Sequence, residues 1–187
     1  MIYKIKKMKI VRTGILFMLL SFTMYTESIY SHSVTTIEGG NQSLSAYQGK
    51  KLLIVTLPLQ QTAAADSLLY SLDTLSAARS AGLQVVAVPA FEDGFTTAQK
   101  TSLQQWYRSK LGNQVIITDG LYTRKASGAQ QHPVFAWLTR LEKNENFGID
   151  ADAPGYKFFV SAAGQLVGVL RPHTKISSMA VQRTLQL

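Results

Sequence analysis

The chain has three histidines and no cysteine among its 187 residues, so disulfides, thiolate metal sites and thiol redox chemistry are excluded at once. His32, His132 and His173 lack the close ligand spacing of a protein metal site. His132, set directly before Pro133, fits contact with a helix start better than a ligand set. Acidic residues gather at Glu92-Asp93 and at Asp150 with Asp152. Carboxylates are the ligands of hard cations, but solvated loop charges are the more ordinary reading. Serine-nucleophile elbows, glycine-rich phosphate loops and paired-histidine metalloprotease motifs are absent. A hydrolase using Glu92 or His132 has no positioned nucleophile to support it. No metal and no cofactor is expected.

Charge sets further bounds. The formal net charge is +8, which at first sight suggests nucleic acid. Five of the nineteen basic residues, however, are Lys4, Lys6, Lys7, Lys9 and Arg12. Beyond residue 30, fourteen basic residues face ten acidic ones, a net +4, scattered singly or in pairs with no aromatic-interleaved stripe. Nucleic-acid binding is not expected. The basic stretch from Met1 to Arg12 runs into an apolar segment, Gly14 to Phe22, too short to span a bilayer comfortably. Residues 1–30 thus read as a signal peptide or membrane-targeting segment, with an uncleaved anchor as the alternative and no lipobox cysteine. Residues 31–187 read as one exported domain, in the periplasm or cell envelope or secreted, touching membrane only through its N-terminal segment.

The elements that position these residues follow from periodicity. Val34 to Ile37 and Gln42 to Leu44 flank a turn at Glu38-Gly39-Gly40-Asn41. Lys51 to Leu57 is a run of branched apolar residues that fits a central strand covered on both faces, ended by Pro58. Ala63 to Ser80 places Leu68, Leu69, Leu72, Leu75 and Ala78 on one helical face, with Gly82 as its cap. Leu83 to Pro89 is the next strand. Thr96 or Thr97 caps a helix through Leu111 whose one side holds Leu103, Trp106 and Tyr107. Val115 to Thr118 is a strand, Asp119 to Gln131 a loop, and Pro133 opens a helix to about Glu142. Tyr156 to Val160 and Leu166 to Leu170 form an antiparallel hairpin. A last helix runs from about Ile176 to Leu185, capped by Ser177 or Thr174. Both tryptophans are expected to be core or half-buried. The pattern is α/β, with a mixed central sheet flanked by helices.

Four fragments carry a family resemblance. Ser43 to Lys50 (SLSAYQGK) leads into the Lys51 strand; Leu83 to Pro89 (LQVVAVP) precedes Ala90-Phe91-Glu92; His132 to Leu138 reads HPVFAWL; and Lys157 to Val160 (KFFV) is followed by Gly164. In order and spacing these resemble the glutathione peroxidases, thioredoxin-fold enzymes, over residues 33 to 187. The resemblance implies a thioredoxin-like fold. It also implies where a Cys or selenocysteine, Gln, Trp and Asn tetrad would lie: on Gln61, Glu92, Ala153 and Pro154. A resolving Cys would map to Tyr107. Pro154 lies where thioredoxin-like proteins often place a cis-proline, so it is a candidate for that isomer. The family fold would bring Glu92, Asp93, Asp150 and Asp152 toward one acidic pocket.

An amide is not a nucleophile toward an O–O bond, and Gln61 cannot pass through a sulfenic acid. The expectation is an exported glutathione-peroxidase-like protein, inactive as a thiol peroxidase and acting as a binding or structural module. Its ligand would be an unidentified protein or peptide, held at the N-terminus of the Thr62 to Ser80 helix, where N–H groups favour an anionic ligand. The alternative is a peroxidase-type oxidoreductase of the oxidative-stress response with residual or altered activity. The short Asp119 to Gln131 connection resembles that of the monomeric members, so a monomer is expected.

Overall fold

Alternation of large apolar residues along three strands builds two cores, one on each side of a single sheet. The computed structural model describes residues 27–186; the part of the targeting-segment expectation that falls on residues 1–26 lies outside them. The central strand is β3 (Lys51–Leu57). It pairs in parallel with β4 (Leu83–Pro89) on one side and antiparallel with β6 (Lys157–Val160) on the other. β5 (Ile116–Ile117) extends the β4 edge and β7 (Leu166–Leu170) the β6 edge, giving the order β5-β4-β3-β6-β7. A separate antiparallel hairpin, β1 (Ser33–Thr35) with β2 (Asn41–Ser43), precedes it.

Leu53, Val55 and Leu57 of β3, Val85 and Ala87 of β4 and Phe159 of β6 point to one face. That core is covered by α1 (Ala63–Arg79), α2 (Lys100–Arg108) and α5 (Met179–Thr184). Leu52, Ile54, Val86, Val88, Phe158 and Val160 point to the other. There they meet α3 (Pro133–Thr139), which is followed by the single turn α4 (Leu141–Asn144). The N-terminal residues Ile29 and Tyr30 join this second core, so the folded body takes in Glu27 to Tyr30, ahead of the boundary expected at residue 31. Among the described residues no helix is long and apolar enough to cross a membrane.

The mixed α/β sheet is as expected from the sequence, and β3, β4 and β7 have the expected bounds. Helix ends differ, each for a local reason. The helix opened by Pro133 breaks at Arg140, whose φ and ψ are −105° and 117°. There Asn144 Nδ2 donates to the carbonyls of Trp137 and Leu138, satisfying groups a continuing helix would have bonded, and also to Arg140 O, which accepts the Asn144 N–H as well. The helix expected from Thr96 or Thr97 to Leu111 is a short 3-10 turn, Thr97–Gln99, and then α2. Thr96 Oγ1 bonds the Gln99 side chain and caps no backbone N–H. α5 begins only at Met179, capped by Ser178 and not by Ser177 or Thr174, because Ile176 is drawn into the core from a loop. Gly82 is not a left-handed cap: its φ is not positive, and its N–H bonds Arg79 O.

Candidate functional site

Thr62 ends the turn after β3, and its Oγ1 accepts a 3.1 Å hydrogen bond from Ala65 N, starting α1. Beneath the turn, the Tyr107 hydroxyl donates to Pro58 O at 2.8 Å, and the side chain is fully buried, which pushes its pKa far up. The position to which a resolving Cys maps is therefore a packing anchor. Thr56, buried at the end of β3, fixes the segment before β6. Its Oγ1 donates to Ala153 O and accepts from Tyr156 N, while its carbonyl accepts from Gly155 N at 2.7 Å. Gly155 has φ +96° and lies so close to Pro172 that a Cβ would sit 3.2 Å from that ring.

Between α1's first turns, Pro154-Gly155 and the loop Pro172 to Ser177 lies an open cleft of about 560 Å³. The exposed His173 and Lys175 stand on its rim, and the described lining has no Asp or Glu. Lys157 holds two of its walls together from below. Its Nζ donates to Gly155 O at 2.6 Å, Pro172 O at 3.2 Å and Arg171 O at 3.5 Å. Lys157 is 1% exposed, and burial lowers its pKa to about 8. Its tie to the Pro172 loop joins residues that no local pattern connects, so sequence reasoning read it only as part of a strand.

The four positions mapped from the resemblance do not converge on this cleft. Pro154 lines it and is trans, for no cis peptide occurs among the described residues. Gln61 is exposed on the turn just ahead, and Ala153 is held by Thr56. Glu92 faces a different loop. Its Oε1 accepts from Arg124 N at 2.7 Å, Thr123 N at 2.8 Å and Ser127 Oγ at 2.6 Å, and its Oε2 from Thr123 N at 3.1 Å. Burial pushes its pKa up, but these donors outweigh burial and the net shift is downward.

The other acids are similarly engaged. Asp93 pairs with Arg124, yet burial and the nearby Glu92 raise its pKa. Asp150 accepts from Lys125 N at 3.1 Å, and Asp152 stands beside Tyr156. Glu92, Asp93 and Asp150 thus share the 123–127 loop, where each meets donors, so the acidic pocket expected from the fold is replaced by a clamped loop.

The histidines serve separate ends. His132 Nδ1 accepts from Val134 N at the start of α3, as the sequence suggested, and burial lowers its pKa. His32 lies 3.5 Å from Glu27 and within charge range of His132. Among the described residues no group of three ligating side chains is placed to hold a metal ion. Trp106 and Trp137 are both buried. Their ring nitrogens donate to Asp66 Oδ1 and Glu27 O at 2.8 and 2.7 Å.

No known family model matches the chain. In sequence it is similar to Glutathione peroxidase 1 of Caenorhabditis elegans, 26% identical over 156 residues that cover 81% of this chain and 91% of that protein. In structure it is similar to Trgpx in its apo form and to T. cruzi GPX1. Each is 16% identical with a TM-score of 0.62, over 86% of this chain and 94% and 95% of theirs. A secreted Mycobacterium tuberculosis disulfide oxidoreductase homologous to E. coli DsbE gives a TM-score of 0.53 at 15% identity, over 84% and 96% of the two chains. Sequence and fold together make the chain a homologue of glutathione peroxidase on a thioredoxin-like mixed sheet.

Proposed function

We propose that this protein has given up peroxide chemistry and serves as a binding module of the cell envelope, reached through its N-terminal segment. The observation that carries the reading is the absence of cysteine from the chain; Gln61, the residue to which the resemblance maps the nucleophile, is an exposed amide. The other mapped positions offer no replacement: Glu92 is consumed in holding a loop, and neither Ala153 nor Pro154 has a side-chain donor. Beside Pro154 lies the cleft at the head of α1, with the N-terminal turn of that helix and a basic rim, suited to an anionic or peptide ligand.

The test is consumption of hydrogen peroxide and an organic hydroperoxide by the purified full chain, with glutathione and with a thioredoxin system. A Cys-containing glutathione peroxidase serves as control. No turnover above the uncatalysed rate is the expected result. Saturable, thiol-dependent turnover would overturn the reading and support the alternative, a peroxidase-type oxidoreductase of the oxidative-stress response with residual or altered activity; the C. elegans relative's name supports only its peroxidase part.

A further inference from the structure

The cleft does not end at the head of α1. It shares Ser71, Ile176 and Ser177 with a second depression of about 400 Å³ between α1 and α5. That depression shares Ala78 and Arg79 with a third, also about 400 Å³, reaching Lys51 and Leu185. The three depressions adjoin one another along α1, a helix about 25 Å long at 1.5 Å per residue, and are together called the groove. On its α1 side, Ala64, Ser67, Ser71, Thr74 and Ala78 recur at helical spacing and keep the floor low. Tyr70 stands 68% exposed at the middle, near the buried Leu75 and Ile176.

The groove carries one sign of charge. Lys51, Arg79 and Lys175 line it together with His173, and no Asp or Glu does among the described residues. Both acids of α1 face elsewhere: Asp66 meets Trp106 and Lys110, and Asp73 meets Gly112 N and Gln114. We infer that this groove binds an extended acidic peptide segment of about seven or eight residues, the number that spans about 25 Å at 3.3 Å each. Its carboxylates would meet Lys175 and Arg79, and an apolar side chain would rest against Tyr70. The inference rests on the proposed ligand-binding role of the cleft and extends it to the length and charge of the ligand. An apolar middle with a single aromatic favours a peptide over a nucleic-acid strand, which needs successive stacking platforms.

The experiment is fluorescence anisotropy of the full chain with a labelled octapeptide of alternating glutamate and leucine. A tetrapeptide of the same pattern, an octapeptide with lysine for glutamate and an oligothymidylate of equal charge are compared. The octapeptide should bind about tenfold or more tightly than the tetrapeptide, and the lysine peptide should not bind. Thr74→Trp, at an exposed position in the middle of the groove, should reduce octapeptide affinity to that of the tetrapeptide with an unchanged melting curve. Lys175→Glu and Arg79→Glu should each weaken octapeptide binding about fivefold. Equal affinity for the two acidic peptides would overturn the groove while leaving the cleft intact. Failure of both to bind would overturn both. Oligothymidylate binding as tight as the octapeptide's and indifferent to Thr74→Trp would show a charged patch and also overturn the inference.

Discussion

Starting the chain at Ser31 instead of Glu27 removes a segment that is built into the second core. Ile29 is 0% exposed and Tyr30 7%. Removing two such buried side chains forfeits about 1.5–3 kcal/mol each. The Tyr30 hydroxyl also donates to Lys50 O at 2.9 Å and Ser161 O at 3.3 Å, together worth about another 1–2 kcal/mol. Its ring packs over Gly164, where a Cβ would sit 2.9 Å from a ring carbon. Loss of the Trp137 bond to Glu27 O leaves that indole nitrogen to water. The sum is about 5 kcal/mol, against a total stability of about 5–15 kcal/mol for a domain. In thermal and urea unfolding, the chain beginning at Ser31 should melt about 10–20 °C below the chain beginning at Glu27, or fail to fold. Tyr30→Phe in the longer chain, which keeps the ring and loses the hydroxyl, should account for only about 1–2 kcal/mol of the loss. Coincident unfolding midpoints for the two starting points would refute this account of the N-terminal segment.

Three further outcomes follow from individual contacts. Lys157 has a folded pKa of about 8, below its ordinary 10.5. The unfolded chain therefore binds more protons between those values, and stability rises across that window by up to about 3 kcal/mol, the full amount being present above the ordinary value and lost as pH falls through about 8. Lys157→Met should remove that slope from pH-dependent urea unfolding and increase amide exchange in the 171–177 loop. For Glu92, whose pKa is lowered, the stabilisation is complete above the ordinary carboxylate range and fades as pH falls through the folded value. Glu92→Gln should thus destabilise by about 1–3 kcal/mol near neutrality and match the parent in acid, read by unfolding at several pH values. Gln61→Cys should add a thiol that a thiol reagent modifies freely, yet show no glutathione-dependent peroxide turnover in an NADPH-coupled assay beyond that of an exposed free thiol, because Glu92 is engaged elsewhere and Ala153 and Pro154 have no side-chain donor to offer it.

The strands were legible because their signal is carried by consecutive residues. A strand covered on both faces must be apolar at every position, as Leu52 to Val55 and Val85 to Val88 are, and Pro58 and Pro89 sit at the strand limits. Helix ends were less legible because distant groups set them. The break at Arg140 depends on Asn144 collecting three carbonyls, and the late start of α5 on Ile176 entering the core from a loop. Periodicity predicts which face of a helix is buried and says little about where a side chain competes with its last hydrogen bonds.

The candidate site was legible in part for a related reason. Counting offsets along motifs reaches Gln61, Glu92, Ala153 and Pro154, but only Pro154 lines the cleft. At position 92, the partners that decide the residue's role lie on a loop about thirty residues away. An amide can accept hydrogen bonds on one oxygen only, whereas a carboxylate accepts on both and carries charge to strengthen them. Glu92 uses both oxygens to gather Thr123, Arg124 and Ser127, a task for which glutamate fits and glutamine does not. Lys157 does the converse with a cation and three carbonyls beneath the cleft. With Glu92 and Lys157 both committed to holding backbone, the charges left to meet a ligand beside the cleft are those on its rim and along α1, and among the described groove residues these are basic.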